Sequence, residues 1–245
     1  MCGRYAQSAD MRDLMEQFEI TGNSPAHSIP VNWNIAPTNP IYIVRESIEE
    51  QDALKRDLAV VSWGLIAPWL SDPAEAKASQ SRAINARSES VHEKPTFRDG
   101  FKSRRCLIPA QGYYEWATAL GKYRPKQAFY IASRDGQQLS IAGIWSTWRS
   151  PNGEVFETAS IITQEAQGEL ATIHSRMPVF MPHDRWEQWL DPKNKDVEHL
   201  RNLMVVDSPE SIVRANPVSA AVNSVANNGQ GLIEPIELGE PETLF

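Results

Sequence analysis

Cysteine is scarce in this chain. Its 245 residues contain two, Cys2 and Cys106. Two thiols cannot build a disulfide framework, and neither stands at metal-ligand spacing from any of the five histidines, so no metal and no cofactor is expected. No apolar run approaches the roughly 20 residues of a membrane-spanning helix, which predicts a cytoplasmic protein without membrane contact. The Gly-rich strand-to-helix turn that cradles nucleotide phosphates is missing. Repeats, low-complexity tracts and long linkers are missing too, which predicts one domain over residues 1–230 followed by an acidic tail over 231–245. Positive charge is also short: 24 Lys and Arg against 31 Asp and Glu leave a net charge of -7, which works against non-specific affinity for nucleic acid. Residues 215–245 hold no Lys or Arg, only the acids Glu234, Glu237, Glu240 and Glu242. The densest basic run, "RDGFKSRR", places Arg98, Lys102, Arg104 and Arg105 within one short stretch and reads as a solvated charged turn.

What the chain does have is a cysteine directly behind the initiator, in "MCGRY". Trimming of Met1 would leave Cys2 with a free α-amine beside its thiol. The amine titrates near about 7.8 and the thiol near about 8.5, so some of each nucleophile is present at neutral pH. Two chemistries suit such a pair. The thiol can cleave an amide with its own amine as base, or the amine can capture an aldehyde as an imine on which the thiol closes a thiazolidine. Ring closure is intramolecular and strongly favoured.

Apolar periodicity predicts one early helix, in "SADMRDLMEQFEI", where Met11, Leu14, Met15 and Phe18 share a face and Ser8 or Asp10 caps. The proline-rich stretch from Asn23 to Pro40 must be loop or extended chain. Short β-branched and aromatic runs predict strands at 41–44, 59–64, 106–110, 112–117, 129–133, 139–145 and 159–163, with "SRDGQQ" as a hairpin turn. Helices return at 184–190 and 196–206. Many short strands with few helices between them predict a single-domain α+β fold whose antiparallel or mixed sheet curls toward a barrel, with peripheral helices.

Polar islands sit where these strands end. Asn85 and Arg87 in "INARSES" are two residues apart and face one way on extended chain. Glu115 lies in the apolar run "PAQGYYEW", where a partly buried carboxyl suits general acid or base work. His174 and Arg176 in "ATIHSRMPVF" offer an imidazole that titrates near neutrality and a forked cation. Each also has a structural reading, as a turn cap, a solvent-facing strand residue or a satisfied histidine. "NPVSAAVNSVANNG" is small and asparagine-rich, which suits close packing against another segment or a ligand. Of eight tryptophans, Trp63, Trp145, Trp186 and Trp189 are expected in the core, as is Cys106. Trp69, in a proline-flanked loop, and Trp116, beside Glu115, are better placed to stack on bases.

Taken in order, "MCGR", "WNIAP", "WGLIAPW", "INARSE", "RCLIPAQGYYEW", "AGIW", "IIT" and "HSRMPV" resemble the SRAP family, the SOS response-associated peptidases or abasic-site processing proteins, across nearly the whole chain. The resemblance implies a thiol-dependent activity of lyase type once Met1 is removed, either by the protein's own peptidase-like step or by an aminopeptidase. Its product is a covalent thiazolidine crosslink between Cys2 and C1′ of a ring-opened abasic deoxyribose in single-stranded DNA. It further implies that Glu115 opens the sugar and shuttles protons, that His174 moves protons at the sugar and in release, and that Asn85 orients the cysteine amine. Arg4, Arg87 and Arg176 become phosphate clamps, Trp69 and Trp116 stacking surfaces, and Pro37 in "WNIAP" a strand contact. "VHEKP" departs from the family pattern, with a proline where a basic residue is expected and Lys94 beside it. The implied protein is a monomer that associates with the nucleoid when it acts on DNA. An N-terminal-nucleophile amidohydrolase of the glutaminase type and a Cys2–His174 cysteine peptidase are the alternatives.

Overall fold

The structure, a computed structural model, describes residues 2–48, 53–118 and 123–238. Two sheets organise it. The first has five strands in the order β12-β8-β7-β1-β2, where β1 is Arg4–Gln7, β2 Asn32–Ile35, β7 Gly112–Trp116, β8 Ala128–Ser133 and β12 Val213–Val218. The second is a barrel. Its staves are β3 (Pro40–Ile48), β4 (Leu54–Trp63), β6 (Arg105–Ala110), β9 (Leu139–Arg149) and β10 (Val155–Glu165), running β10-β4-β3-β6-β9 before β9 pairs back onto β10 and closes the ring. Closure leaves no open edge among these five, and the only parallel stave contact is β10 with β4. Two short strands, β5 (Asn85–Arg87) and β11 (Arg176–Pro178), extend the far end of β10.

Strand alternation sets the core. Ile41, Ile43, Val61, Trp63, Cys106, Ile108, Ile141 and Ile161 point into the barrel, and Tyr5, Tyr113, Phe129 and Ile131 from the five-stranded sheet join the same cluster. The outward residues Tyr42, Val44, Leu107, Ala142, Ile144 and Ile162 form a second cluster under helices α1 (Met11–Gln17), α4 (Trp186–Leu190) and α5 (Val197–Leu203). Leu232, from a 3-10 turn at Gln230–Ile233, packs on the outer face of the five-stranded sheet with Tyr114 and Tyr130, so the residues expected to open the acidic tail are docked here. The chain leaves β4 through Gly64 at φ +109, where an added Cβ would lie 2.3 Å from the Gln80 carbonyl oxygen; this tight exit leads to the Trp69 loop.

Four expectations need correcting. "SRDGQQ" is no hairpin, because β8 belongs to the five-stranded sheet and β9 to the barrel; the turn carries the chain between sheets. Two helices escaped the periodicity, α2 (Pro73–Arg82) and α3 (Pro95–Ser103). The basic run is the end of α3 followed by β6, and Arg105 is buried, donating to the carbonyls of Trp189, Phe101, Asp191 and Asn194. Burial lowers its guanidinium to about 10, against the opposing charge of Asp191. Trp145 is only partly buried, with the Arg45 guanidinium 4.2 Å from its ring centre; Trp148 takes a core place instead. Among the described residues no helix is long and apolar enough to cross a membrane, and no group of three or more His, Cys, Asp or Glu could hold a metal ion.

Candidate active site

Cys2 precedes β1, whose register on β7 pairs Arg4 with Tyr114 and Tyr5 with Tyr113. Continued past Arg4, that antiparallel register lays the amino-terminal residues along the Glu115–Trp116 end of β7. From the barrel side, β5 runs parallel to β10 with Asn85 opposite Ile161, and β11 runs antiparallel with Arg176 opposite Glu165. The Thr118 N–H donates to the Ile173 carbonyl at 2.9 Å, joining the exit of β7 to the turn that carries His174. The seam between the two sheets thus gathers Cys2, Asn85, Glu115 and His174 from four separate segments.

Each of these side chains is constrained. Cys2 is fully buried, and Asn85 Nδ2 donates to its carbonyl oxygen at 2.9 Å. Asn85 Oδ1 is buried without a hydrogen-bond partner among the described residues, an acceptor left over beside the Cys2 backbone. Glu115 is 5% exposed and accepts from the Trp116 N–H at 3.3 Å. Burial and the Glu115 carboxylate push the Cys2 thiol well above its ordinary pKa, so at neutral pH the sulfur keeps its proton. Half-burial lowers His174 below the usual imidazole value, opposed by Glu115. The Arg176 N–H donates to His174 Nδ1 at 3.0 Å, so Nδ1 is the acceptor and the neutral ring carries its proton on Nε2.

The three arginines differ. Arg87 is exposed. Arg4 is committed inward: NH1 donates to Asn34 Oδ1 at 2.8 Å and to the Val222 carbonyl at 2.9 Å, and NH2 to the Asn223 carbonyl at 3.3 Å. Arg176 grips Glu89 with both terminal nitrogens, at 2.6 and 2.9 Å, and donates to the Thr163 carbonyl at 2.6 Å. Trp69 is 54% exposed and Pro37 half-buried. Trp116 is half-buried and donates through Nε1 to Asn223 Oδ1 at 2.7 Å. Lys94 is exposed at the start of α3.

Sequence reasoning passed over Asn34. It is 2% exposed, and its amide donates to the carbonyls of Val222, Ser224 and Asn227 while its oxygen accepts from Arg4. One side chain thereby fastens the asparagine-rich 222–227 loop to the strand that follows Cys2. The available signal was an asparagine between Trp33 and Ile35 in a strand-like run, where a polar residue needs a buried partner.

Chemically, the seam offers a buried thiol, a half-buried neutral imidazole donor, a buried carboxyl and a spare amide acceptor. A family model described as SOS response associated peptidase (SRAP) matches residues 1–225. Abasic site processing protein YoqW of Bacillus subtilis is 34% identical, with 96% of this chain and 99% of that protein aligned. Abasic site processing protein HMCES of Gallus gallus is 30% identical over 86% of this chain and 68% of its own length. Among solved structures, a protein from Bacteroides thetaiotaomicron superposes with a TM-score of 0.81 at 25% identity, covering 96% of this chain and all of the other, and one from Bordetella bronchiseptica with 0.73 at 25%, covering 89% and 100%.

Proposed function

The chain belongs to the SOS response-associated peptidase (SRAP) family, and from that premise we propose that it processes abasic sites in single-stranded DNA by covalent capture through Cys2. The observation that carries the reading is the convergence of a buried carboxyl, a neutral imidazole and an unsatisfied amide oxygen on one thiol at the start of β1.

While Met1 is attached, the Cys2 nitrogen is an amide and cannot form an imine, so trimming comes first: the Cys2 sulfur adds to the Met1 carbonyl, its proton passes to the departing Cys2 nitrogen, and one water hydrolyses the thioester to release methionine and restore the thiol. The freed amine adds to the C1′ aldehyde of the ring-opened sugar, and the carbinolamine loses water to give an imine. Glu115 supplies and removes the protons of these steps. The Cys2 sulfur then bonds to the imine carbon, its proton passes to the nitrogen, and a five-membered thiazolidine results. The net change is loss of one water. Asn85 holds the Cys2 carbonyl and offers Oδ1 to the amine N–H, while His174 presents Nε2–H to a sugar oxygen. A thiol kept protonated until the imine forms is also protected from oxidation, which acts on thiolates.

Arg4, Arg87 and Arg176 are the proposed phosphate contacts, with Trp69 and Trp116 as stacking surfaces and Pro37 beside the strand. Arg87 is available as it stands; Arg4 and Arg176 must exchange partners. The protein acts as a monomer in this reading. The test is a denaturing gel: trimmed protein and an abasic single-stranded oligonucleotide should give a heat-stable adduct that Cys2→Ala abolishes. Ammonia released from glutamine at a Cys2-dependent rate, with no adduct, would instead mark an amidohydrolase.

A further inference from the structure

Glu89 stands two residues past Arg87, on the turn that leaves β5, and nothing in the chemistry above uses it. Its two carboxylate oxygens accept from both terminal nitrogens of Arg176, at 2.6 and 2.9 Å. This is the two-point geometry with which a guanidinium also binds a phosphodiester. The pair sits at the surface: the Arg176 side chain is 16% exposed and that of Glu89 53%. Arg176 also has a second anchor, the Thr163 carbonyl at 2.6 Å, which holds the guanidinium in place independently of Glu89.

We propose that Glu89 is a specificity-determining residue: its carboxylate occupies the anion-binding edge of Arg176 in the DNA-free protein, and a phosphate of the bound strand must displace it. The inference rests on the reading of Arg176 as a phosphate contact. A space exists to receive the displaced side chain. Glu89 also borders a cavity of about 210 Å³ whose lining includes Ser88, Gln164, Glu198, Arg201 and Asn202. Gln164 Nε2 is a buried donor without a partner among the described residues, and Arg201 donates to Glu198 at 3.1 Å on the preceding turn of α5. A carboxylate that swings from Arg176 into this cavity meets the Gln164 donor and shares the Arg201 cation with Glu198.

The consequence is selectivity. An intact strand gains one phosphate contact only by breaking a charge-assisted pair, so it binds weakly. A strand whose baseless sugar can enter the seam and react has a covalent gain to set against the same exchange. Glu89 therefore costs both strands alike, and only the damaged strand is then held by a covalent bond while the intact one dissociates.

Fluorescence anisotropy with an intact single-stranded oligonucleotide tests this without involving the thiol. Glu89→Gln should bind about tenfold tighter than wild type, the expected size for one charge-assisted bond released from competition. The double variant Glu89→Gln with Arg176→Ala should lose that gain. Equal or weaker binding by Glu89→Gln overturns the proposal, and so does a gain that survives loss of Arg176, since removal of any acid would then suffice. Matching thermal melts of wild type and Glu89→Gln verify the fold. If wild type forms its abasic adduct while Glu89→Gln binds intact DNA no differently, the exchange alone fails; if no adduct forms, the reading of the site fails.

Discussion

At the scale of single residues, the site depends on environments that pull titrating groups in chosen directions. Glu115 raises the Cys2 thiol by its charge, after burial. Glu115→Gln should therefore have opposite effects on two reactions: slower adduct formation with an abasic oligonucleotide, because proton transfer is lost, and faster alkylation of Cys2 by iodoacetamide at a given pH, because the thiol ionises more readily. Parallel loss of both rates would show only a damaged pocket. His174 gives a stability signature. Its pKa is lowered on folding, so the native state binds fewer protons than the unfolded state once pH drops toward the ordinary imidazole value. Stability from this residue is present above about pH 6.5 and is lost as pH falls through that value toward the depressed one. Urea midpoints measured from pH 7.5 down to 5 should fall less steeply in His174→Gln than in wild type.

At the scale of elements, two buried polar residues hold the loops that frame the site and the core. Arg105 satisfies four carbonyls, that of Phe101 in α3 and those of Trp189, Asp191 and Asn194 at the end of α4 and the turn after it. Arg105→Lys, with fewer donors and no planar fork, should lower the urea-unfolding free energy by about 3 kcal/mol with an unchanged m-value. Asn34→Ala leaves the carbonyls of Val222, Ser224 and Asn227 without their donor, and hydrogen exchange across 222–227 should accelerate by more than an order of magnitude while the barrel strands keep their protection. The elements also show what the sequence could reveal. Strands rich in β-branched and aromatic residues, and α1 with its Leu14–Phe18 face and Asp10 cap, follow local rules and were legible. α2 was not, because it buries only Ala76 and carries polar residues on every side. α3 was hidden by an internal glycine and a cap residue, Lys94, that makes no side-chain cap bond. "SRDGQQ" misled because turn chemistry specifies a reversal and not which sheet receives the next strand. The four residues of the seam were identifiable by type and setting, yet the Glu89–Arg176 and Arg4–Asn34 pairs span 87 and 30 residues and belong to tertiary structure alone.

At the scale of the whole molecule, a closed barrel supplies one wall and the five-stranded sheet a second, and Cys2 is buried between them. That placement holds Cys2, the proposed nucleophile, by the strand pairing of β1 on one side and by Asn85 on the other. An overall charge of -7 means that attraction to a nucleic acid strand must be local, so affinity for any oligonucleotide should fall steeply with salt while the adduct, once formed, should persist. The most direct measurement is intact mass spectrometry of the purified protein before and after incubation with an abasic single-stranded oligonucleotide. The account predicts a protein lacking Met1 that shifts by the mass of the oligonucleotide less one water, and no shift in Cys2→Ala. An unshifted wild-type mass, or an equal shift in Cys2→Ala, would contradict it.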